Sequence, residues 1–232
     1  MFESFTPRSF PLAARTMTVA RIAAVAALGT ALAGCAHNKG DIVLNEGVGI
    51  TAVRSACPAV GIPDYTGDIT LFRPGGQKLA SDIDVTANIT DVRTTCDDTG
   101  PKVYAQAQFN VYGRRTDTRG ARQVELPYFA VVLRGGSAVV SKQVGKVTLS
   151  FADGQARAEA HAQAAAYIDR SAATLPDDVR ERITRPRKAG DADAAVDPLA
   201  DPTVRAAVER ASFELLVGFQ MSQDQLAYNA TR

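Results

Sequence analysis

Apolar and polar residues alternate through the middle of the chain. Residues 83–89 place Ile, Val, Ala and Ile at every second position, and residues 102–111 repeat the pattern over a longer run. Alternation with a period of two is typical of strands that bury one face. The turn sequence DDTG at 97–100 lies between the two runs. We therefore predict a β-hairpin from residue 83 to residue 111.

Further strands are predicted downstream. Residues 127–133 (PYFAVVL) are apolar on both faces, which is typical of a central strand. Residues 155–168 alternate alanine with polar side chains. Their period indicates a strand whereas their alanine content favours a helix, and the flanking turns fit a strand better. The frequent turns predict a mainly β fold, an antiparallel β-sandwich that is immunoglobulin-like by analogy.

Composition divides the chain around this core, which we place at residues 65–168. Residues 169–201 are rich in charge and contain three prolines, which predicts a disordered, flexible charged insertion. Residues 202–232 predict a helix, a strand and a short C-terminal helix that complete the domain. Pro202 follows an Asp that can cap a helix, and Ser222 and Gln225 form a capping-box sequence.

The N-terminal sequence is typical of an export signal. Arg21 precedes an apolar run at 22–32, which is too short to span a bilayer. The following Leu-Ala-Gly-Cys, ending at Cys35, resembles the lipobox of bacterial lipoproteins. The resemblance implies that residues 1–34 are a signal peptide and that Cys35 is lipidated and becomes the first residue. Met17 is an alternative start that would give a compact signal.

The lipobox resemblance also implies a location and partners. The residue after the lipidated cysteine is Ala36 rather than the Asp that retains many lipoproteins at the inner membrane. We therefore expect the outer membrane, with the protein facing the periplasm, and consider the inner membrane the less favoured site. The implied partners are membrane lipid, through the acyl anchor, and the lipoprotein export and sorting machinery. Residues 35–64 would form a lipidated tether and N-terminal extension.

The remaining cysteines, Cys57 and Cys96, form an even pair in an oxidising compartment. We predict a disulfide between them; the alternative is two free buried thiols. The two histidines, His37 and His161, are isolated in the sequence. A zinc site needs about four clustered ligands, so we predict no metal site and no cofactor.

Charge and motifs narrow the classes of function. Without residues 1–34, the chain has 23 basic and 24 acidic residues, and this balance argues against a nucleic-acid partner. No phosphate loop or nucleophile-elbow motif is present, so we expect a non-enzymatic module that binds an envelope protein or a glycan, or that scaffolds an assembly. Tyr104 and Tyr112 lie on the polar face of the longest alternating run and mark a possible binding surface, unless a neighbouring strand covers them. The alternative is a periplasmic hydrolase with two carboxylates that only the fold brings together.

A second resemblance concerns the C-terminal half. Residues 213–229 (FELLVGFQMSQDQLAYN), together with LPYF at 126–129, resemble a group of uncharacterised envelope lipoproteins of alphaproteobacteria. The likeness extends over about residues 85–230 and is interrupted by the charged segment. It supports the class and location of the protein and implies no activity or ligand.

Overall fold

Two four-stranded sheets form the body of the computed structural model, which describes residues 55–231. Sheet A contains, in spatial order, β1 (Ala59–Gly61), β8 (Phe213–Phe219), β5 (Arg122–Arg134) and β6 (Ala138–Phe151). Sheet B contains, in spatial order, β2 (Asp68–Phe72), β3 (Ile83–Asp97), β4 (Lys102–Arg115) and β7 (Arg157–Asp169). Neighbouring strands are antiparallel, except that β1 runs parallel to β8. The predicted mainly β, antiparallel sandwich is confirmed.

The alternating residues of the two sheets meet in one apolar core. Val85 and Val103 of sheet B and Leu149 and Leu215 of sheet A are completely buried. The sheets pack closely at Gly113, where an added Cβ would collide with the Leu149 side chain. Burial of this continuous apolar surface provides the main driving force that holds the sheets together.

Tyr128 of sheet A bridges to sheet B near the edge strands β6 and β7. Its ring packs edge-on against Phe109, with 5.3 Å between centroids, and it occupies the space that a Cβ at Gly145 would need. The Tyr128 hydroxyl donates to the backbone oxygen of Gln163 on β7 at 2.8 Å. The inner face of β7 consists largely of alanines, which leave room for this ring.

The Arg115 side chain forms hydrogen bonds to both loops that connect the sheets here, the β4–β5 loop and the β6–β7 loop. The side chain ends in the interior, with 1% of the residue exposed, and its guanidinium lies 5.4 Å from the centre of the Phe151 ring. Four backbone oxygens accept its hydrogen bonds at 2.7–2.8 Å, and they belong to Thr118, Gly120, Ala152 and Gln155. None of the ion pairs in the described chain involves Arg115. The carbonyls therefore replace water around this buried charge.

The predicted disulfide is present at the other end of the sandwich. Cys57 and Cys96 are bonded, and the bond ties the chain just before β1 to the end of β3. Residues 55–64, the part of the expected N-terminal extension that the structure describes, include β1, whose residues pair with β8. Cys35 and the signal sequence lie outside the described residues.

The segment 169–201 differs from the flexible insertion that its composition indicates. It contains α1 (Arg170–Ala173), α2 (Asp177–Thr184) and a 3-10 turn (Pro198–Ala200) before α3 (Pro202–Ala211). Leu175, Val179 and Ile183 recur every four residues, so they share one face of the chain and pack against α3. This apolar stripe, together with ion pairs such as Arg182–Asp201 at 2.7 Å, orders a strongly charged segment.

The last element, α4 (Gln223–Thr231), closes the side of the sandwich near β2. Ser222 and Gln225 form the predicted capping box, with backbone-to-side-chain hydrogen bonds of 2.9 and 3.2 Å. Asn229 donates from its amide nitrogen to the backbone oxygens of Tyr65 and Asp68. No helix in the described part of the chain has the length and apolar character needed to cross a membrane.

Arg115→Met should destabilise the protein by at least about 3 kcal/mol. Methionine keeps the apolar stem but removes the donors to four backbone carbonyls, and a hydrogen bond to a charged group contributes about 1.5–3 kcal/mol. Urea unfolding followed by circular dichroism measures the change. Arg119→Met is the matched control, because its side chain is 90% exposed in the same loop. Equal midpoints for the two variants would contradict the role assigned to Arg115.

The ion pair of Asp84 and Arg122 should make stability depend on acid pH. The Arg122 guanidinium donates two hydrogen bonds to the Asp84 carboxylate, at 2.6 and 2.8 Å, and holds its pKa below the ordinary value. A lowered pKa in the folded state gives stability that is present above the ordinary aspartate pKa of about 3.9 and is lost as the pH falls further. We expect Asp84→Asn to cost about 1–2 kcal/mol at pH 7 and progressively less below pH 4.

Urea unfolding of the wild type and Asp84→Asn at a series of pH values measures this dependence. Asp224→Asn serves as the control, because the Asp224 side chain is 84% exposed. A stability difference for Asp84→Asn that stayed constant from neutral pH down through the acid range would show that the charge of Asp84 is not the cause.

Candidate functional site

Tyr104 and Tyr112 lie on the same open face, the outer face of sheet B. They project from β4 eight residues apart, which corresponds to about 27 Å along a strand. Tyr112 is 42% exposed, and Tyr104 is half-buried beside the 68% exposed Tyr167 of β7. The Tyr104 and Tyr167 ring centres are 5.0 Å apart. The neighbouring strand thus lies beside these tyrosines instead of covering them, and it adds a third ring.

Tyr167 is a site residue that the sequence reasoning missed. It follows the same alternation as His161 and Gln163 in β7, and so it could have been assigned to their polar face. Its proximity to Tyr104 depends on the antiparallel register of β4 and β7, in which the two tyrosines are direct partners.

Complementary cross-strand pairs fill the face between the tyrosines. Gln106 donates from its amide nitrogen to the amide oxygen of Gln163 at 2.9 Å. The His161 Nδ1 lies 2.8 Å from the amide oxygen of Asn110, which fits an Nδ1–H that donates to it. We call the surface formed by these pairs the polar–aromatic face; it comprises Tyr104, Gln106, Gln108, Asn110 and Tyr112 of β4 with Glu159, His161, Gln163 and Tyr167 of β7.

A β-bulge in β3 opens a hollow in the middle of this face. The register with β4 shifts between Thr90 and Arg93, and Asp91 has a positive φ of 51°. Arg93 donates from Nε to both carboxylate oxygens of Asp91, at 3.0 and 3.1 Å. The hollow has a volume of about 640 Å³, and its polar lining is Asp91, Arg93, Gln108, Asn110, His161 and Gln163. Bulges commonly turn side chains toward a functional surface, and this one brings the Asp91–Arg93 ion pair to the hollow.

Neighbouring side chains shift the pKa values of two ionisable groups, Tyr112 on the face and Arg93 beside it. A hydrogen bond to Glu159 raises the pKa of Tyr112, so this hydroxyl stays protonated at neutral pH. The adjacent Asp91 carboxylate raises the pKa of Arg93 in the same way. Beside the charged Asp91–Arg93 pair, the face thus offers amides, tyrosine hydroxyls and a histidine ring, whose nitrogens and oxygens can hydrogen-bond at neighbouring positions.

The hollow contains few of the groups that catalysis needs. Asp91 is the carboxylate in its lining, and Arg93 already occupies both of its oxygens. The lining includes no serine, threonine or cysteine that could act as a nucleophile. Within residues 55–231, no three His, Cys, Asp or Glu side chains are grouped so that they could hold a metal ion.

A second hollow, of about 530 Å³, lies beside α2 and brings several acids together. Its aspartates are occupied by structural contacts. Asp193 pairs with Arg185, Asp197 accepts from the backbone nitrogen of Leu199 at the 3-10 turn, and Asp201 caps α3. Hydrogen bonds from Thr203 lower the pKa of Asp201. These carboxylates hold the helices in place, so the polar–aromatic face is the stronger candidate for ligand binding.

The predicted site residues thus fall into separate places. Tyr104 and Tyr112 share the polar–aromatic face, the Cys57–Cys96 disulfide lies at the end of the sandwich near the start of the described chain, and Cys35 is outside the described residues. No family model, curated protein or solved structure matches the chain.

Proposed function

We propose that the protein is a lipid-anchored lipoprotein of the outer membrane that faces the periplasm and binds a glycan without altering it chemically. The observation that carries this proposal is the polar–aromatic face, an open row of tyrosines and paired amides on β4 and β7. Its length of about 27 Å between Tyr104 and Tyr112 suits a polymer better than a small molecule.

The chemistry of the face matches that of sugars. A pyranose ring has C–H groups on its faces, which pack on the flat side of a tyrosine ring, and hydroxyls at its rim. Amide and imidazole groups, which both donate and accept, can pair with adjacent hydroxyls. Gln106, Gln163 and Asn110 are already oriented by hydrogen bonds, so little side-chain entropy is lost on binding.

A protein partner fits the same face less well. The outward positions of β4 and β7 include no aliphatic side chain larger than Ala165. The centre of a protein interface is usually apolar and dry, with a few large anchoring side chains in pockets. The middle of this face consists of amides, a histidine and the Asp91–Arg93 pair. These groups favour a hydroxyl-rich ligand that can replace the water they bind.

The anchor is supported by the sequence of residues 18–35. A diacylated cysteine attaches a protein stably to a bilayer, whereas a single acyl chain does so only marginally. The nearly balanced charge of the chain after residue 34 offers no substitute attraction to anionic lipid. Membrane attachment therefore depends on Cys35 in this proposal, and the folded domain is left free to bind its ligand.

Alanine substitution of Tyr104 or Tyr167 should weaken glycan binding about tenfold, because one aromatic contact contributes about 1–1.5 kcal/mol. The measurement is an array of neutral and acidic bacterial polysaccharides probed with the purified protein, followed by titration calorimetry on the strongest ligand. Tyr65→Ala is the matched control, since Tyr65 is 56% exposed and lies away from the face.

Equal binding by all three alanine variants would exclude the polar–aromatic face as the site. Release of new reducing ends from a bound polysaccharide would instead favour the hydrolase with paired carboxylates. The same array samples therefore report on both functions.

Replacing Cys35 with serine should abolish lipidation. A serine hydroxyl cannot form the thioether that carries the diacylglycerol, so labelled palmitate should enter the wild type and be absent from Cys35→Ser. Cys57→Ser controls for a general effect of losing a cysteine. Label that persisted in Cys35→Ser would refute the anchor, and separation of inner and outer membranes on a density gradient tests the proposed location.

A further inference from the structure

Two arginines face each other at one end of the polar–aromatic face. The register of β4 and β7 makes Arg114 and Arg157 direct partners, one outward step beyond the pair Tyr112–Glu159. Both arginines are exposed. Among the described residues, none of the ion pairs includes either of them. Their guanidinium groups are therefore open to solvent and to ligands.

This pair is unlike the other outward pairs of the same two strands. Lys102 lies opposite Asp169 at the far end of the face. Between the two ends, Gln108 lies opposite Gln163, Asn110 opposite His161, and Tyr112 opposite Glu159. Directly opposed like charges destabilise an antiparallel pair, because the two chains are only about 4.5–5.5 Å apart there. The nearest acid along β7, Glu159, lies directly opposite Tyr112, and none of the ion pairs in the described chain joins it to either arginine. The fold thus keeps an unfavourable pair of cations at an open position.

We propose that Arg114 and Arg157 form an anion site and that the bound glycan is acidic, with a carboxylate or phosphate group seated between the two guanidiniums. A guanidinium is a planar fork of donors that matches the oxygens of either anion, and two forks can hold one anion from both sides. An anion at this position would also remove the repulsion between the arginines. This inference rests on the proposed function, since it assigns the chemical class of the same ligand.

The position of the pair sets how the ligand would lie. Arg114 is ten residues from Tyr104 along β4, about 33 Å on an extended strand. An acidic oligosaccharide could place its anion at the arginines, cross the hollow beside His161, and pack a ring on Tyr104 and Tyr167. Nearby carboxylates, Glu159 and Asp91, limit the positive charge to a small area. This local charge suits one anionic substituent on a polar chain.

The test compares ligands that differ only in charge. Titration calorimetry is performed with an oligogalacturonide and its methyl ester, and with a phosphorylated mannan and the neutral mannan. The proteins are the wild type, Arg114→Gln, Arg157→Gln and the control Arg119→Gln. Arg119 loses the same charge from an exposed loop position where it pairs with Asp117.

We expect the wild type to bind at least one acidic ligand about 10-fold to 100-fold more tightly than its neutral counterpart, the range of a hydrogen bond to a charged group. Either glutamine substitution on the face should remove most of this preference, whereas Arg119→Gln should keep it. Added salt should reduce the preference as well. If the oligogalacturonide binds more tightly than its methyl ester, the anion is a carboxylate. If the phosphorylated mannan binds more tightly than the neutral mannan, the anion is a phosphate.

A stability measurement provides a second, independent readout. Each substitution removes the repulsion between the arginines. Arg114→Gln and Arg157→Gln should therefore raise the melting temperature of the free protein and lower its affinity for acidic ligands. Equal binding of acidic and neutral forms, or an unchanged preference in both variants, would overturn the anion site. In that case Tyr104-dependent binding on the array would leave the proposed function standing. Absence of any Tyr104-dependent binding would mean that the proposed function has failed as well.

Discussion

The burial of one positive charge constrains the whole sandwich. Arg115 ends β4 with its side chain in the interior, where four backbone carbonyls replace the water that its guanidinium loses. Two of those carbonyls come from the loop that carries the chain from sheet B to sheet A, and two come from the loop that returns it. Both loops must therefore keep one conformation for the charge to be solvated. This constraint fixes how β4, β5, β6 and β7 leave and enter the two sheets.

The surface on the other side of β4 begins next to this buried charge. The backbone nitrogen of Arg115 donates to the oxygen of Ala156 at 2.9 Å, and this bond continues the register in which Arg114 opposes Arg157. From that point every outward pair follows in order, ending with Tyr104 and Tyr167. A shift by one residue would turn the whole set toward the core. The proposed ligand surface is thus a direct consequence of the packing beneath it.

The charged segment 169–201 shows where composition misleads. The composition of the segment predicts disorder because its many charged residues outnumber a stripe of three apolar residues, Leu175, Val179 and Ile183. Three such residues cannot order a segment alone, but they become sufficient when α3 provides Val204 and Val208 as a partner surface. A local average over the sequence contains no information about that partner. For the strands of residues 83–111 no such partner information is needed, because their period of two already distinguishes the buried face from the exposed one.

The sequence by itself determined the strand pattern, the sidedness of β4 with Tyr104 and Tyr112 outward, and the pairing of Cys57 with Cys96. These features depend on local periodicity and on the small number of cysteines, which a linear sequence displays. Only the tertiary structure decided that Tyr167 joins Tyr104 and that Arg157 opposes Arg114. Partners more than 40 residues apart meet through the register between strands, and register is fixed by packing and hydrogen bonds across the whole sheet rather than by neighbouring residues.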